Sequence, residues 1–288
     1  MKKKIILALS AMMLLTGCGN ISHDSITPVS REDGSGTRGA FVELFDIQEK
    51  DENGVKMDMT TDMAEITNST AVMLLTVTGN KNAIGYISMG SMNDAVKTLQ
   101  IDGVEATFDN IKNGTYQVAR PFHIATKADV SPAAQDFIQY ILSEEGQRIV
   151  EESGYISQGN TGAYEPSNAK GNVVVSGSSS VAPVVEKIKE AYEAVNHDVT
   201  VEMQQSDSTI GMNSLKEGMC DIGMASRELK DSELAAGLIP TVIAMDGIAV
   251  VVNHENPVNG LRREEVKAIY MGELDKWSEI PYDKEAIK

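Results

Sequence analysis

The chain has 288 residues, 42% of them apolar and 23% charged, a composition ordinary for a globular protein and a length that allows about two cores. Its formal net charge of −17 argues against nucleic acid and against an anionic membrane surface as partners. Any anion it binds must therefore be held by local dipoles and a few placed cations, because the overall field repels it.

In chain order, Met1 to Lys4 is basic and Ile5 to Leu15 is an apolar run too short to span a bilayer. Leu15-Thr16-Gly17-Cys18 follows, and small residues directly before a cysteine resemble the bacterial lipobox. Residues 1–17 are thus expected to be a signal peptide, with Cys18 the lipidated first residue of the mature chain. Residues 18–24 form a polar tether that holds the protein to the outer face of the cell membrane. Once Cys18 is lipidated, Cys220 is the remaining cysteine, expected to be buried and inert. No metal cluster can be built from it, and no cofactor is expected.

Ile26 and Val29 lead into Ser30-Arg31-Glu32-Asp33-Gly34-Ser35-Gly36-Thr37, and a helix is expected from Thr37 to about Asp46. A strand, a Gly-rich turn and a helix N-terminus aim free backbone N–H groups at one spot, where the helix dipole adds positive charge. Arg31 adds a fork of donors that matches two oxygens. Further on, Ala83 to Ser88 reads as a strand, Val96 to Ile101 alternates as a strand does, and Phe122 to Thr126 is another strand. Ser131-Pro132 opens a helix, and a second helix follows from about Ser143 to Glu152. Residues 157–172 are polar, glycine-rich and without period, and read as a linker.

The opening pattern then recurs. Val173 to Val175 is a buried strand, Ser176 to Ser180 a small-residue turn, and Val181 starts a long amphipathic helix. Val199 to Met203 is a strand, Gln205 to Thr209 a loop, and a helix ends at Gly218. A fourth loop, Ala225-Ser226-Arg227-Glu228, follows the strand from Asp221 to Met224. Thr241 to Asn253 reads as two strands or one long crossover, and Arg262 to Tyr270 as a helix. Strands alternating with helices give an α/β fold with mainly parallel sheets, in which ligands sit beyond the carboxyl ends of the strands. All four small-residue loops occupy that position.

Ser30 to Phe41 (SREDGSGTRGAF), Ala83 to Gly90 (AIGYISMG), Gly177 to Pro183 (GSSSVAP), Lys216 to Leu229 (KEGMCDIGMASREL) and Asp246 to Asn253 (DGIAVVVN) resemble the phosphate-binding proteins of bacterial ABC phosphate uptake. The resemblance covers nearly all of the mature chain, but the block order is displaced. GSSSVAP lies near the N-terminus in that family, whereas here the usual second half comes first, joined to the usual first half by residues 157–172. The resemblance therefore implies a circularly permuted, two-lobed periplasmic-binding-protein-like (type II) fold with two interlobe crossovers. One lobe is continuous, residues 120–250, and includes the linker. The other combines residues 25–119 with 251–288. The crossovers are expected near Ala119-Arg120-Pro121 and Val250-Val251-Val252.

The function the resemblance implies is an extracytoplasmic lipoprotein that captures inorganic phosphate between two lobes. It would deliver the phosphate, as a monomer, to the permease subunits of an ABC transporter. Carried over residue by residue, the phosphate site comprises Arg31, with Asp33 orienting it, together with Ser35, Gly36 and Thr37. Ser179, Ser180, Val181, Ser208 and Ser226 complete it from the other lobe. One position departs: the family's better-studied members carry an aspartate where Ser226 stands, which accepts the proton of hydrogen phosphate. A neutral Ser226 leaves open another tetrahedral oxyanion, sulfate or molybdate, and Asp207 in the next loop is a candidate substitute acceptor. A paralogue or fragment that does not bind is the remaining alternative. A serine hydrolase is not expected, because none of His23, His123, His197 and His254 lies in a Ser/Gly loop and Gly34-Ser35-Gly36 lacks the spacing of a nucleophile elbow.

Overall fold

Residues 24–52 and 56–280 are described by the structure, a computed structural model. The signal segment, Cys18, the tether up to His23 and the tail 281–288 lie outside the described residues, so the lipidation expectation does too. Among the described residues no helix is long and apolar enough to cross a membrane.

Eight strands form one continuous curled path. They are β1 (Thr27–Arg31), β2 (Glu65–Thr67), β3 (Ala83–Ser88), β4 (Ala119–Thr126), β5 (Gly171–Ser178), β6 (Val199–Ser206), β7 (Ile222–Ala225) and β8 (Ile239–Val252). Their spatial order is β6-β5-β7-β4-β8-β3-β1-β2, with a short strand at Lys97–Thr98 beside β8. The outer pairs are parallel, as the alternation of strands and helices predicts. The inner pairs, β7/β4, β4/β8 and β8/β3, are antiparallel. That departs from a mainly parallel sheet, and the reason is topological: β4 and β8 pass between the two halves in opposite directions.

The long apolar stretch is a single strand, β8. Its residues Ile239 to Gly247 pair with β4, and Ile248 to Val252 pair with β3. Two hydrophobic cores divide at the same points. One gathers Ile26 to Val118 with Ile248 to Ile280; the other gathers Phe122 to Ala244 and carries beside it a smaller cluster around Met212, Leu215 and Leu238. The core thus changes at residues 119–121 of β4 and 245–247 of β8, the second slightly before the expected crossover.

Local chemistry fixes the helices that matter for the site. Helix α1 (Gly36–Leu44) is capped by the Ser35 hydroxyl, which accepts from the Arg38 amide. Helix α2 (Thr70–Gly79) is capped by Ser69. Helices α3 (Pro132–Leu142) and α4 (Glu144–Glu152) follow β4, each capped by a serine hydroxyl. Helix α5 (Ala182–Val195) has proline in its first turn, where the missing N–H costs nothing. It buries Val184, Val185 and Ile188 against Val173 and Val175 of β5, each contributing about 1.5–3 kcal/mol. Helix α6 (Ser208–Glu217) is capped by Asp207 and stopped by Gly218 in the left-handed region.

The segment 157–172 contains no helix or strand apart from its last two residues, which open β5, yet it is fastened to its core. The Glu144 amide donates to the Gly162 carbonyl at 2.8 Å, and the Tyr164 amide donates to Glu145 at 2.9 Å. Tyr164 OH and the Ser167 amide donate to the buried Asp136 carboxylate at 2.6 and 3.0 Å. The two ends of the described chain also meet. Ile26 N donates to Asp275 O, Trp277 N to Asp24 O, and the Asp24 carboxylate accepts from Ser278.

Candidate functional site

Four helix N-termini converge where the two cores face each other. Thr37 lies in the first turn of α1, Thr70 begins α2, Ser180 lies just before Val181, the residue that caps α5, and Ser208 begins α6. All four side chains are buried, and their hydroxyls interlock. Thr37 Oγ1 is 2.8 Å from Ser180 Oγ and 3.4 Å from Ser226 Oγ. Thr70 Oγ1 is 3.4 Å from Ser180 Oγ. Ser178 Oγ donates to Ser226 Oγ at 3.0 Å, and Ser208 Oγ accepts from the Ser226 amide at 3.1 Å. Thr37 and Thr70 come from one core, and Ser178, Ser180, Ser208 and Ser226 from the other, so the contacts of Thr37 and Thr70 bridge the cleft, while those of Ser226 with Ser178 and Ser208 stay within one wall.

Gly36 is one of the points where the two walls approach closely. A Cβ on Gly36 would collide with the Ser208 hydroxyl and press on that of Ser226. The glycine is needed for this close backbone approach. The Gly34 carbonyl also accepts from the Thr209 amide and hydroxyl across the cleft, at 3.2 and 3.1 Å.

Arg31 supplies the cation, and its side chain is buried. Its Nε and Nη2 donate to the two carboxylate oxygens of Glu32 at 2.8 and 2.7 Å, and Nη2 also donates to Ser179 Oγ at 3.0 Å. Nη1 takes no part in these bonds. This corrects one expectation. Asp33 does not orient Arg31: its side chain is 94% exposed and pairs with Arg38 at 2.6 Å. After Arg31 the turn swings Asp33 outward while Glu32 lies alongside the guanidinium, so the orienting carboxylate is Glu32. Arg38 also donates to the Arg31 carbonyl at 2.9 Å, tying the turn shut.

The remaining expected residues are also placed here. Ser35 is buried and occupied as the α1 cap. Ser179 touches Arg31. Val181 is buried, and its amide donates to the Ser178 carbonyl at 3.1 Å, so in this arrangement that N–H is already used. Asp207 is committed as the α6 cap, its Oδ1 accepting from Ile210 N at 2.8 Å. Three residues of the cluster were not expected: Glu32, Thr70 and Ser178. Ser69-Thr70 repeats the hydroxyl-before-helix pattern of the other loops, which is the signal that would have found it.

His123, the buried histidine, contacts the Arg227 carbonyl at 3.1 Å and Glu228 at 3.4 Å rather than a serine hydroxyl. Cys220 is buried, which pushes its thiol up to about 11. What the cluster offers chemically is therefore an array of rotatable hydroxyls, helix-terminal amides and one oriented guanidinium. Each hydroxyl can donate or accept, and here they satisfy one another; turned inward, they can all donate to a single anion.

Comparison with known proteins agrees with that chemistry. A family model described as the PBP superfamily domain matches residues 19–145 and 162–287. "Phosphate-binding protein PstS 2" of Streptococcus agalactiae is 53% identical over 283 residues, covering 96% of this chain and 97% of that protein. "Phosphate-binding protein PstS" of Staphylococcus aureus is 33% identical over 129 residues, 42% of this chain and 39% of that protein. Among solved structures, a phosphate-binding protein of a phosphate ABC transporter from Streptococcus pneumoniae superposes with a TM-score of 0.70 at 42% identity. It covers 89% of this chain and 99% of that one.

Proposed function

The chain belongs to the phosphate-binding proteins of the PBP superfamily, and we propose that it captures inorganic phosphate between its two cores, outside the cytoplasm, for delivery to an ABC transporter. The observation that carries this reading is the convergence of four helix N-termini and Arg31 on one buried hydroxyl cluster drawn from both cores.

The electrostatics favour a small tetrahedral anion. Each helix N-terminus carries about half an elementary positive charge, and four of them point at one place. Arg31 is already paired with Glu32, so the site's attraction comes largely from dipoles and oriented donors. Such a site suits a compact oxyanion that takes many hydrogen bonds at once. Phosphate enters while the cores are apart, Arg31, Ser35, Gly36 and Thr37 engage it from one wall, and Ser179, Ser180, Val181, Ser208 and Ser226 from the other. Hinge closure then buries it. Thr70 and Ser178 join the array, and Glu32 holds Arg31 in place. Because Thr37 and Ser180 are in mutual contact in the closed arrangement, the ligand replaces hydroxyl–hydroxyl bonds with hydroxyl–oxyanion bonds, which are charge-assisted and stronger.

The lobes follow the two cores, residues 25–119 with about 248 onward and residues 120 to about 247, a boundary on β8 a few residues before the expected 250/251. Cys18 as a lipid anchor places the chain at the outer face of the membrane, close to the permease subunits, and the site is complete within one copy of the chain, in keeping with a monomer. The circularly permuted order draws support from two facts. The described ends lie side by side on one core, so joining them asks for no rearrangement. The relative from Staphylococcus aureus aligns over only 42% of this chain, as a displaced block order would produce, whereas the one from Streptococcus agalactiae aligns nearly end to end.

A second reading, a binder of sulfate or molybdate, draws on Ser226. Its hydroxyl carries no charge and can turn to donate, so it does not by itself reject an unprotonated oxyanion. Titration calorimetry of the chain starting after Cys18, with phosphate and with sulfate at neutral pH, tests both. Tight one-to-one phosphate binding with weak sulfate binding is expected. Equal or tighter sulfate binding would transfer the assignment to sulfate, and heat from neither would leave a non-binding paralogue.

A further inference from the structure

The two strands that pass between the cores carry a second buried polar cluster, separate from the hydroxyls. Arg120 on β4 and Asp246 on β8 face each other in the antiparallel register. Arg120 Nη2 lies 3.2 Å from Asp246 Oδ2, and both side chains are almost fully buried. This is the point where the core changes along each strand. Tyr155 reaches in from the side of Phe122, with ring centroids 5.4 Å apart. Ser88 and Ser91 reach in from the end of β3, on the other core. Gly90 sits against the Tyr155 ring, where a Cβ would collide with it.

This cluster is poorly satisfied. Ser88 and the amides of Met89 and Gly90 face the Asp246 carboxylate. Tyr155 OH likewise faces the hydroxyls of Ser88 and Ser91, yet none of Arg120 Nε and Nη1, Asp246 Oδ1 and the buried hydroxyls of Ser88, Ser91 and Tyr155 makes a hydrogen bond of normal geometry among the described residues. Each such group costs about 1–3 kcal/mol, more when charged. Burial pushes the Asp246 carboxyl up to about 6 and the Arg120 guanidinium down to about 10, and Arg31 is near enough to add repulsion to the latter.

A hinge between the cores must bend β4 and β8 at these residues. Opening it parts Tyr155 from Gly90 and lets water reach the charged pair. We propose that Arg120, Asp246 and Tyr155 form a brake on closure, a group of positioning residues that penalises the closed arrangement and so sets the affinity and release rate of the ligand without touching it. This rests on the reading of the cleft as a phosphate site. In the ligand-free protein the brake favours the open arrangement, and ligand binding must overcome it, which lowers the apparent affinity by the fraction of competent protein.

The test combines small-angle scattering with inorganic phosphate titration. The double variant Arg120→Met/Asp246→Leu removes both charges at similar volume, a replacement that buried pairs often tolerate. It is expected to be more compact than the parent before phosphate is added and to compact less on its addition. Its phosphate Kd should fall about tenfold, mainly through slower release. Tyr155→Phe removes one unsatisfied hydroxyl and keeps the ring; its Kd should fall about two- to threefold. It decides the question on its own if the double variant does not fold. Parent-like or weaker phosphate binding in Tyr155→Phe, or a ligand-free double variant no more compact than the parent, overturns the brake. If the parent itself binds no phosphate, the reading of the cleft fails, and the scattering of the ligand-free double variant still decides the brake.

Discussion

The Asp136 network and the Arg31 cluster are both buried and polar, and they differ in what their hydrogen bonds are committed to. Asp136 lies inside one core. Its carboxylate accepts from Tyr164, Tyr192, Asn196 and the Ser167 amide, at 2.6, 2.7, 2.9 and 3.0 Å. Every donor there is fixed and the acceptor is saturated, so the network can only hold structure. Arg31 and its hydroxyls lie between two cores, and the hydroxyls satisfy one another through bonds that can be exchanged. The lesson is that burial and charge do not distinguish a binding site from a structural knot; spare or exchangeable hydrogen-bonding capacity, placed across a joint, does.

That contrast predicts a separation of effects. Arg31→Ala should weaken phosphate binding by about 3–5 kcal/mol, roughly a hundredfold to a few thousandfold, because the ligand loses its charge-assisted donors in a buried site. Calorimetry reads the loss, and the melting temperature without phosphate should stay near the parent's. Asp136→Ala should do the reverse. It strands the hydroxyls of Tyr164 and Tyr192 and frees the segment 157–172, lowering stability by roughly 2–4 kcal/mol in urea unfolding while the folded protein keeps the parent's phosphate affinity. An Asp136 variant that lost affinity as Arg31→Ala does would break the distinction.

Smaller effects sharpen it. Thr37→Val keeps the shape and removes the hydroxyl that meets both Ser180 and Ser226, so binding should weaken about tenfold by the same calorimetric titration. The last effect is on pH. Burial alone would raise the Asp136 carboxyl, but hydrogen bonds from Ser167, Tyr164 and Tyr192 outweigh it and hold it at about 2, below its ordinary 3.8. A depressed carboxyl stabilises the fold fully above its unfolded value and ceases to do so as pH falls through its folded one. The melting-temperature gap between the parent and Asp136→Asn should therefore be constant near neutrality and narrow between about pH 4 and pH 2.

Much of this was legible in the sequence because periodicity and turn chemistry are local. The strand–loop–helix units at Ser30 to Phe41, Val173 to Ile188 and Val199 to Glu217 are all present, and their loops meet. What was not legible depends on direction or on register. Glu32 and Asp33 are adjacent carboxylates after Arg31, and only the path of the turn decides which one turns back to it. Thr70 was hidden because α2 has no sharp apolar face: Val72 and Leu75 are exposed on a helix that reads as apolar throughout. Arg120 and Asp246 are 126 positions apart, and nothing in either segment alone says that β4 and β8 pair in that register. The family resemblance supplied the ligand, which periodicity could not.

The most direct test of the account is a crystal structure of the chain starting after Cys18, grown with inorganic phosphate. The account predicts one phosphate between the cores, its oxygens within about 3 Å of Arg31 and of hydroxyls from both walls, Thr37 and Ser180 among them. Phosphate bound to one wall alone, or lodged elsewhere with the Thr37–Ser180 contact intact, would contradict it.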